Sequence, residues 1–229
     1  MSAGQRVLDV ACRTGSLARG ALRKVGPTGH VAGLDANEAM ITVASRIAPE
    51  IDFKVGSPEA LPYDDASFDA VVSQFGLVYF NDRVRALREM MRVLVPKGRL
   101  AVVAWDRLDN VPAYAILIAL LQHVVGRRAA DVLRIPFSLG EVRDLKAVFT
   151  EAGYSADVTT TEGAARHPSV RAWVLTDVKG WFPLMDVVLK KEETDALIAE
   201  AERALHAFIQ PNGTVLFPIS VHIATATKI

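Results

Sequence analysis

The chain has 229 residues, 51% of them apolar and 23% charged, which is enough apolar surface for the core of one α/β domain with an insertion. Lys plus Arg balance Asp plus Glu at 26 each, and no basic stripe interleaved with aromatics stands out, which argues against a nucleic-acid partner. A single cysteine, Cys12, excludes an internal disulfide, no charged and then apolar leader opens the chain, and the longest apolar run, 113–125, is shorter than the ~20 residues that cross a bilayer, so a cytoplasmic protein without a membrane span is expected.

The first 105 residues alternate strand-like and helix-like segments with short polar turns, the pattern of a parallel sheet covered by helices on both faces. Residues 6–10 predict a strand and 16–25 a helix, ended by Gly26 and Pro27. A second strand follows over 30–35. Asn37 can cap a helix running to Ile47, with Ala39, Met40, Val43, Ala44 and Ile47 on one face. Residues 51–55 predict a third strand, and 68–73, nearly all apolar, a fourth that is covered on both faces. Val84, Leu87, Met91 and Leu94 mark a helix that ends before Pro96, and 99–104 predict strand five. The alternation then stops. Residues 109–136 read as an inserted helical segment, 141–152 as a helix, 156–161 as a strand, 192–208 as a further helical stretch and 214–224 as the last strand.

The strongest local signal is the run from Val7 to Gly15, a strand leading directly into a tight turn and a helix. In a doubly wound sheet such a turn lies at the carboxyl end of the first strand, where a helix N-terminus turns its free N–H groups toward a ligand. Asp35 falls 20 residues beyond Gly15, at the end of the second strand, where a carboxylate can accept both hydroxyls of a ribose. That placement suits dinucleotide and adenosyl cofactors alike. The turn itself does not fit the dinucleotide G-x-G-x-x-G fingerprint, which disfavours a nicotinamide-dependent oxidoreductase.

Taken with Gly33 to Asn37, Glu59 to Tyr63, Ser67 to Val72, Gln74 to Leu77, Ala86 to Glu89 and Arg92 to Leu100, the Val7 to Gly15 run resembles the ordered motifs of class I S-adenosylmethionine-dependent methyltransferases. It is most similar to the ubiquinone and menaquinone C-methyltransferase branch. The resemblance is close over residues 4 to about 105. It implies an α/β fold with a Rossmann-like, doubly wound, mostly parallel seven-stranded sheet, a helical insertion or lid and an antiparallel last strand. It also implies one domain over 1–229, with a core of 4–105, 141–162 and 213–225 and a helical cover of 107–136 and 164–210.

The resemblance further implies S-adenosyl-L-methionine as cofactor. The turn containing Asp9, Ala11, Cys12, Arg13 and Gly15 would hold its methionine part, Asp35 with Ala36 the ribose, and the segment with Ser57, Pro58, Glu59 and Ala60 the adenine. Gln74 would meet the methionine amino group, and Met40 and Phe75 would be apolar walls. The chain also departs from the family. Relatives usually carry glycine where Ala11 and Arg13 stand, Ser57 replaces an Asp that often takes the adenine amino group, and Pro58 has no N–H to offer. Relatives usually open with a helical segment, whereas this chain enters strand one within five residues, the pattern of a truncated beginning. A degenerate relative with a binding or regulatory role would carry the same departures, and that alternative stands beside the enzyme.

Methyl transfer from a sulfonium is an in-line displacement that asks mainly for alignment and exclusion of water. Where the acceptor is a hydroxyl or an acidic carbon a base helps, and the candidates are Tyr79, Asp106, His123 and His167. The His residues and Cys12 show no metal-ligand spacing. The acceptor would sit under 107–136 and 164–210, whose Tyr114, Ile116, Leu120, Trp173, Trp181, Phe182 and Met185 suit a small, fairly apolar molecule, or alternatively a packed lid or homodimer contact.

Overall fold

A computed structural model describes residues 1–229. Seven strands, β1 (Arg6–Val10), β2 (His30–Asp35), β3 (Asp52–Val55), β4 (Phe68–Gln74), β5 (Leu94–Trp105), β6 (Asp157–His167) and β7 (Val215–Thr227), form one sheet in the order β3-β2-β1-β4-β5-β7-β6. The first five are parallel neighbours, with Asp9 paired to both Gly33 and Val72. The last strands are antiparallel: the amides of Lys97 and Asp106 reach the carbonyls of Lys228 and Ser220, a register that runs in opposite directions along β5 and β7. The expected Rossmann-like sheet with its reversed last strand is therefore present.

The chain folds into two compact units, one of residues 1–104, 141–159 and 222–229, the other of 105–140 and 160–221. In the first, α1 (Ser16–Val25) follows β1, α2 (Glu38–Ile47) follows β2, and α3 (Arg83–Arg92) precedes β5. Val7, Ala18, Ala21, Val25, Val31 and Val72 pack one side of the sheet. Arg88 of α3 donates to the carbonyls of Glu151 and Ala152, which close the C-terminus of α6 (Val142–Ala152).

Asn37 caps α2 as its residue type predicts, accepting from the amides of Ala39 at 2.9 Å and Met40 at 3.2 Å. The face that α2 buries differs from the expected one. Ile41, Ala44 and the following Ala48 are buried, whereas Val43 and Ile47 are 39% and 53% exposed. The helix is apolar on most sides, so spacing alone does not select a stripe. Helix α3 ends at Arg92 and the chain is already extended from Leu94, earlier than the apolar spacing predicts. Pro96 keeps Val95 out of the helical region, and Lys97 turns at φ 65°.

The second unit holds α4 (Pro112–Val124), α5 (Arg127–Arg134), α7 (Val170–Gly180) and α8 (Lys191–Ala204) around buried Leu117, Trp173, Phe182, Leu197 and Phe217. No helix of either unit is long and apolar enough to cross a membrane.

Candidate cofactor site in the first unit

Parallel pairing brings the carboxyl ends of β3, β2, β1 and β4 side by side, and the residues singled out from the sequence leave the sheet there. The turn after β1 is tied to its neighbours by main-chain bonds, Cys12 N to Leu34 O at 3.0 Å and Gly15 N to Cys12 O at 2.8 Å. Ala11, Arg13 and Gly15 take φ of 61°, 53° and 75°. The left-handed path that glycine follows freely is thus retained with side chains at positions 11 and 13, at a cost of order 1 kcal/mol each.

Two glycines near this turn answer to packing. A Cβ on Gly15 would lie 2.6 Å from the ring of Phe53, and one on Gly33 would lie 2.5 Å from the same ring, so Phe53 of β3 seats directly against both. A Cβ on Gly76, in the loop after β4, would lie 2.5 Å from the Cβ of Ala11. The methyl group that Ala11 adds therefore occupies the room that Gly76 leaves.

Asp35 is half-buried at the end of β2, and its two carboxylate oxygens accept from the amides of Arg13 at 2.8 Å and Asn37 at 2.9 Å. A carboxylate oxygen accepts more than one hydrogen bond, so this anchoring leaves acceptor capacity toward a ligand hydroxyl. Asp9 lies beneath the turn, 1% exposed, with Oδ2 lacking a hydrogen-bond partner in the protein. Burial raises its pKa to about 7; a hydrogen bond from the Ala18 amide lowers it and the negative charge of Asp35 adds to the rise. Because Gly15 has no side chain to cap α1, Asp9 serves the first turn of that helix from the strand below. Cys12 is buried and its thiol is pushed up by the same desolvation, which makes it inert.

Ala36 is exposed and Met40 half-buried on the rim after β2. After β3, the Ser57 hydroxyl donates to the Glu59 carboxylate, whose other oxygen accepts from the amides of Asn81 at 3.0 Å and Asp82 at 3.4 Å. Desolvation opposes ionisation of Glu59, but these donors outweigh it and hold the carboxyl below its usual range. Pro58 is buried and Ala60 exposed. Gln74 is exposed at the end of β4, Phe75 turns at φ 61° with its amide on Val103 O, and Tyr79 lies exposed in the short 3-10 turn that follows.

Sequence reasoning missed the residue that fixes the 61–65 loop. Arg92 donates to Glu89 through Nε and Nη2 at 2.7 and 2.8 Å, to the carbonyls of Leu61 and Tyr63 at 3.0 and 2.9 Å, and to Asp65 at 2.7 Å. Glu89 lies three residues before Arg92, but the partners of Arg92 in the 61–65 loop lie 27 to 31 residues away in sequence.

The other candidate bases belong to the second unit. Asp106 is buried and accepts from Arg107 N at 2.7 Å, Asn110 Nδ2 at 2.9 Å and Ser220 Oγ at 2.5 Å, so its carboxylate is a fixed joint between the end of β5 and β7. His123 is exposed on α4, where it lines a surface pocket of about 530 Å³ with Leu108, Ile118, Gln122 and Arg134. His167 stacks at 16° on the rings of Trp173 and Phe217, and burial lowers its pKa. Tyr114 meets Trp173 edge-on at 5.0 Å and Phe137 at 5.5 Å, so the second unit contains a connected aromatic cluster. The structure therefore places the cofactor candidates and Tyr79 together in the first unit, and Asp106, His123 and His167 in the second.

Residues 7–98 match a family described as a methyltransferase domain. Over 114 residues the chain is 42% identical to the ubiquinone/menaquinone biosynthesis C-methyltransferase UbiE of Pseudomonas putida, covering 47% of this chain and 44% of that protein. It is 38% identical over 116 residues to the demethylmenaquinone methyltransferase of Lactobacillus johnsonii, covering 48% of each. The chain thus spans about half the length of the curated relatives it matches. The YcgJ protein of Bacillus subtilis has the same fold, with a TM-score of 0.61 over 99% of this chain and 93% of that one at 21% identity. The matched residues include the left-handed turn, Asp35 and the 56–60 segment.

Proposed function

We propose that the chain binds S-adenosyl-L-methionine on the first unit and transfers its methyl group to a small, fairly apolar acceptor. The observation that carries this reading is the turn after β1, which keeps the left-handed backbone of a close-approach loop beside an anchored Asp35 within a methyltransferase domain. The donor set suits the cofactor: Asp35 has acceptor capacity for ribose hydroxyls, the Gly56 to Ala60 segment lies one strand away for the adenine, and Gln74 and Phe75 border the methionine end. Met40 supplies an apolar wall.

When bound, the sulfonium would supply an electrophilic methyl group that the acceptor attacks in line, with S-adenosylhomocysteine as the leaving group. The protein's part is alignment and exclusion of water, so a fixed acid–base constellation is not demanded. Acceptor selection is assigned to residues 107–136 and 164–210, whose partly buried Tyr114, Ile116, Leu120 and Phe137 suit an apolar molecule.

The test is methyl transfer from labelled S-adenosylmethionine to a panel of small phenols, quinols and amines, quinols being included because the relatives are named for quinone biosynthesis. Transfer to an apolar member with release of S-adenosylhomocysteine is expected. Tight cofactor binding without transfer to any member would replace the enzyme with a binding protein of the same fold.

A further inference from the structure

Arg13 occupies the turn after β1 in the left-handed region, at φ 53°, where glycine would be free of strain. Its amide is committed to Asp35 at 2.8 Å, but its side chain is exposed and its guanidinium pairs with no group of the protein. Neighbouring Arg19 behaves differently, its Nη1 donating to the Thr14 carbonyl at 2.7 Å. An always-charged planar fork with no partner in the protein is free to meet an anion from outside.

The carboxylates of the same site are already engaged. Both oxygens of Asp35 take main-chain amides, Asp9 is buried beneath α1, and Glu59 is held by Ser57 and the amides of Asn81 and Asp82. No carboxylate of the site pairs with the Arg13 guanidinium, so an anion that it meets there comes from a ligand. In the cofactor reading on which this inference rests, the turn faces the methionine end, whose one anionic group is the α-carboxylate.

We propose that Arg13 is a specificity-determining residue that reads the α-carboxylate of the cofactor's amino-acid end. The side chain that replaces the usual glycine then adds affinity for ligands with an intact amino-acid end and none for those without it. Arg is suited to this because its fork meets a carboxylate bidentately, which a lysine cannot reproduce.

Calorimetric titration of wild type, Arg13→Gly and Arg13→Lys with S-adenosylhomocysteine and with 5′-methylthioadenosine, which lacks the amino-acid end, tests this. Arg13→Gly should weaken S-adenosylhomocysteine by roughly tenfold or more and leave methylthioadenosine within about twofold, with Arg13→Lys in between. Equal losses for both ligands would overturn the inference and make Arg13 a residue that shapes the turn. Tighter binding of S-adenosylhomocysteine by Arg13→Gly would also overturn it and make the side chain an obstruction. Failure of wild type to bind either ligand would instead defeat the cofactor reading, and this inference with it.

Discussion

Replacing Asp35 by alanine perturbs two things that the structure separates. The carboxylate accepts amides from Arg13 and Asn37, which pin the turn after β1 and the approach to α2. A hydrogen bond to a charged group contributes about 1.5–3 kcal/mol, but Asp35 is half-buried and water can replace part of what is lost. The expected cost to folding of Asp35→Ala is therefore about 1–2 kcal/mol, read as a lower urea midpoint with an unchanged slope. Asp35→Asn keeps one good acceptor and should fall between. Binding of S-adenosylhomocysteine should drop by a further 1.5–3 kcal/mol, roughly 10- to 150-fold, because the ribose hydroxyls lose their acceptor. Calorimetry on the folded variant measures that loss. Unchanged affinity would refute the ribose role, and an unchanged urea midpoint would refute the anchoring of the turn.

Three further outcomes are expected. Burial raises Asp9 to about 7, so the folded chain holds a proton that the unfolded chain has released above about pH 4. Stability from this group is full below about pH 4 and is lost as pH rises to 7; Asp9→Asn should remove a slope of about 2–4 kcal/mol, and parallel wild-type and variant stability profiles would contradict this. Gly76→Ala should cost about 1–3 kcal/mol by crowding the Cβ of Ala11, and adding Ala11→Gly should recover about 1 kcal/mol of it; additive single effects in a double-mutant cycle would show that the two do not touch. Arg92→Ala should cost about 2–4 kcal/mol and restore Glu89, which the Arg92 hydrogen bonds hold below the usual carboxylate range, toward its ordinary pKa; an unmoved denaturation midpoint would show the network to be idle.

What the sequence made legible were features whose cause is local. The turn from Asp9 to Gly15, the Asn37 cap and Asp35 at the end of a strand depend on residue type and spacing over a few positions, and they stand where expected. The buried face of α2 was misjudged because Met40, Val43 and Ile47 are as apolar as the Ile41 and Ala44 that face inward, so phase comes from tertiary contact. The seating of Phe53 on Gly15 and Gly33, the match of Ala11 to Gly76 and the partners of Arg92 join distant segments, and no window of sequence contains them. Ser57 and Glu59 were legible as a segment, but not as a pair bound to each other and to the start of α3. The four candidate bases rest on residue chemistry alone, which does not show that Asp106 is taken up by three donors or that His167 stacks on the rings of Trp173 and Phe217.

The central claim, that the turn beside Asp35 holds an adenosyl cofactor, is tested most directly by calorimetric titration of the intact chain with S-adenosylhomocysteine, using NAD as the control ligand. A single saturable site per chain for S-adenosylhomocysteine and no heat from NAD are expected. Saturable binding of NAD, or no binding of S-adenosylhomocysteine to the folded protein, would contradict it.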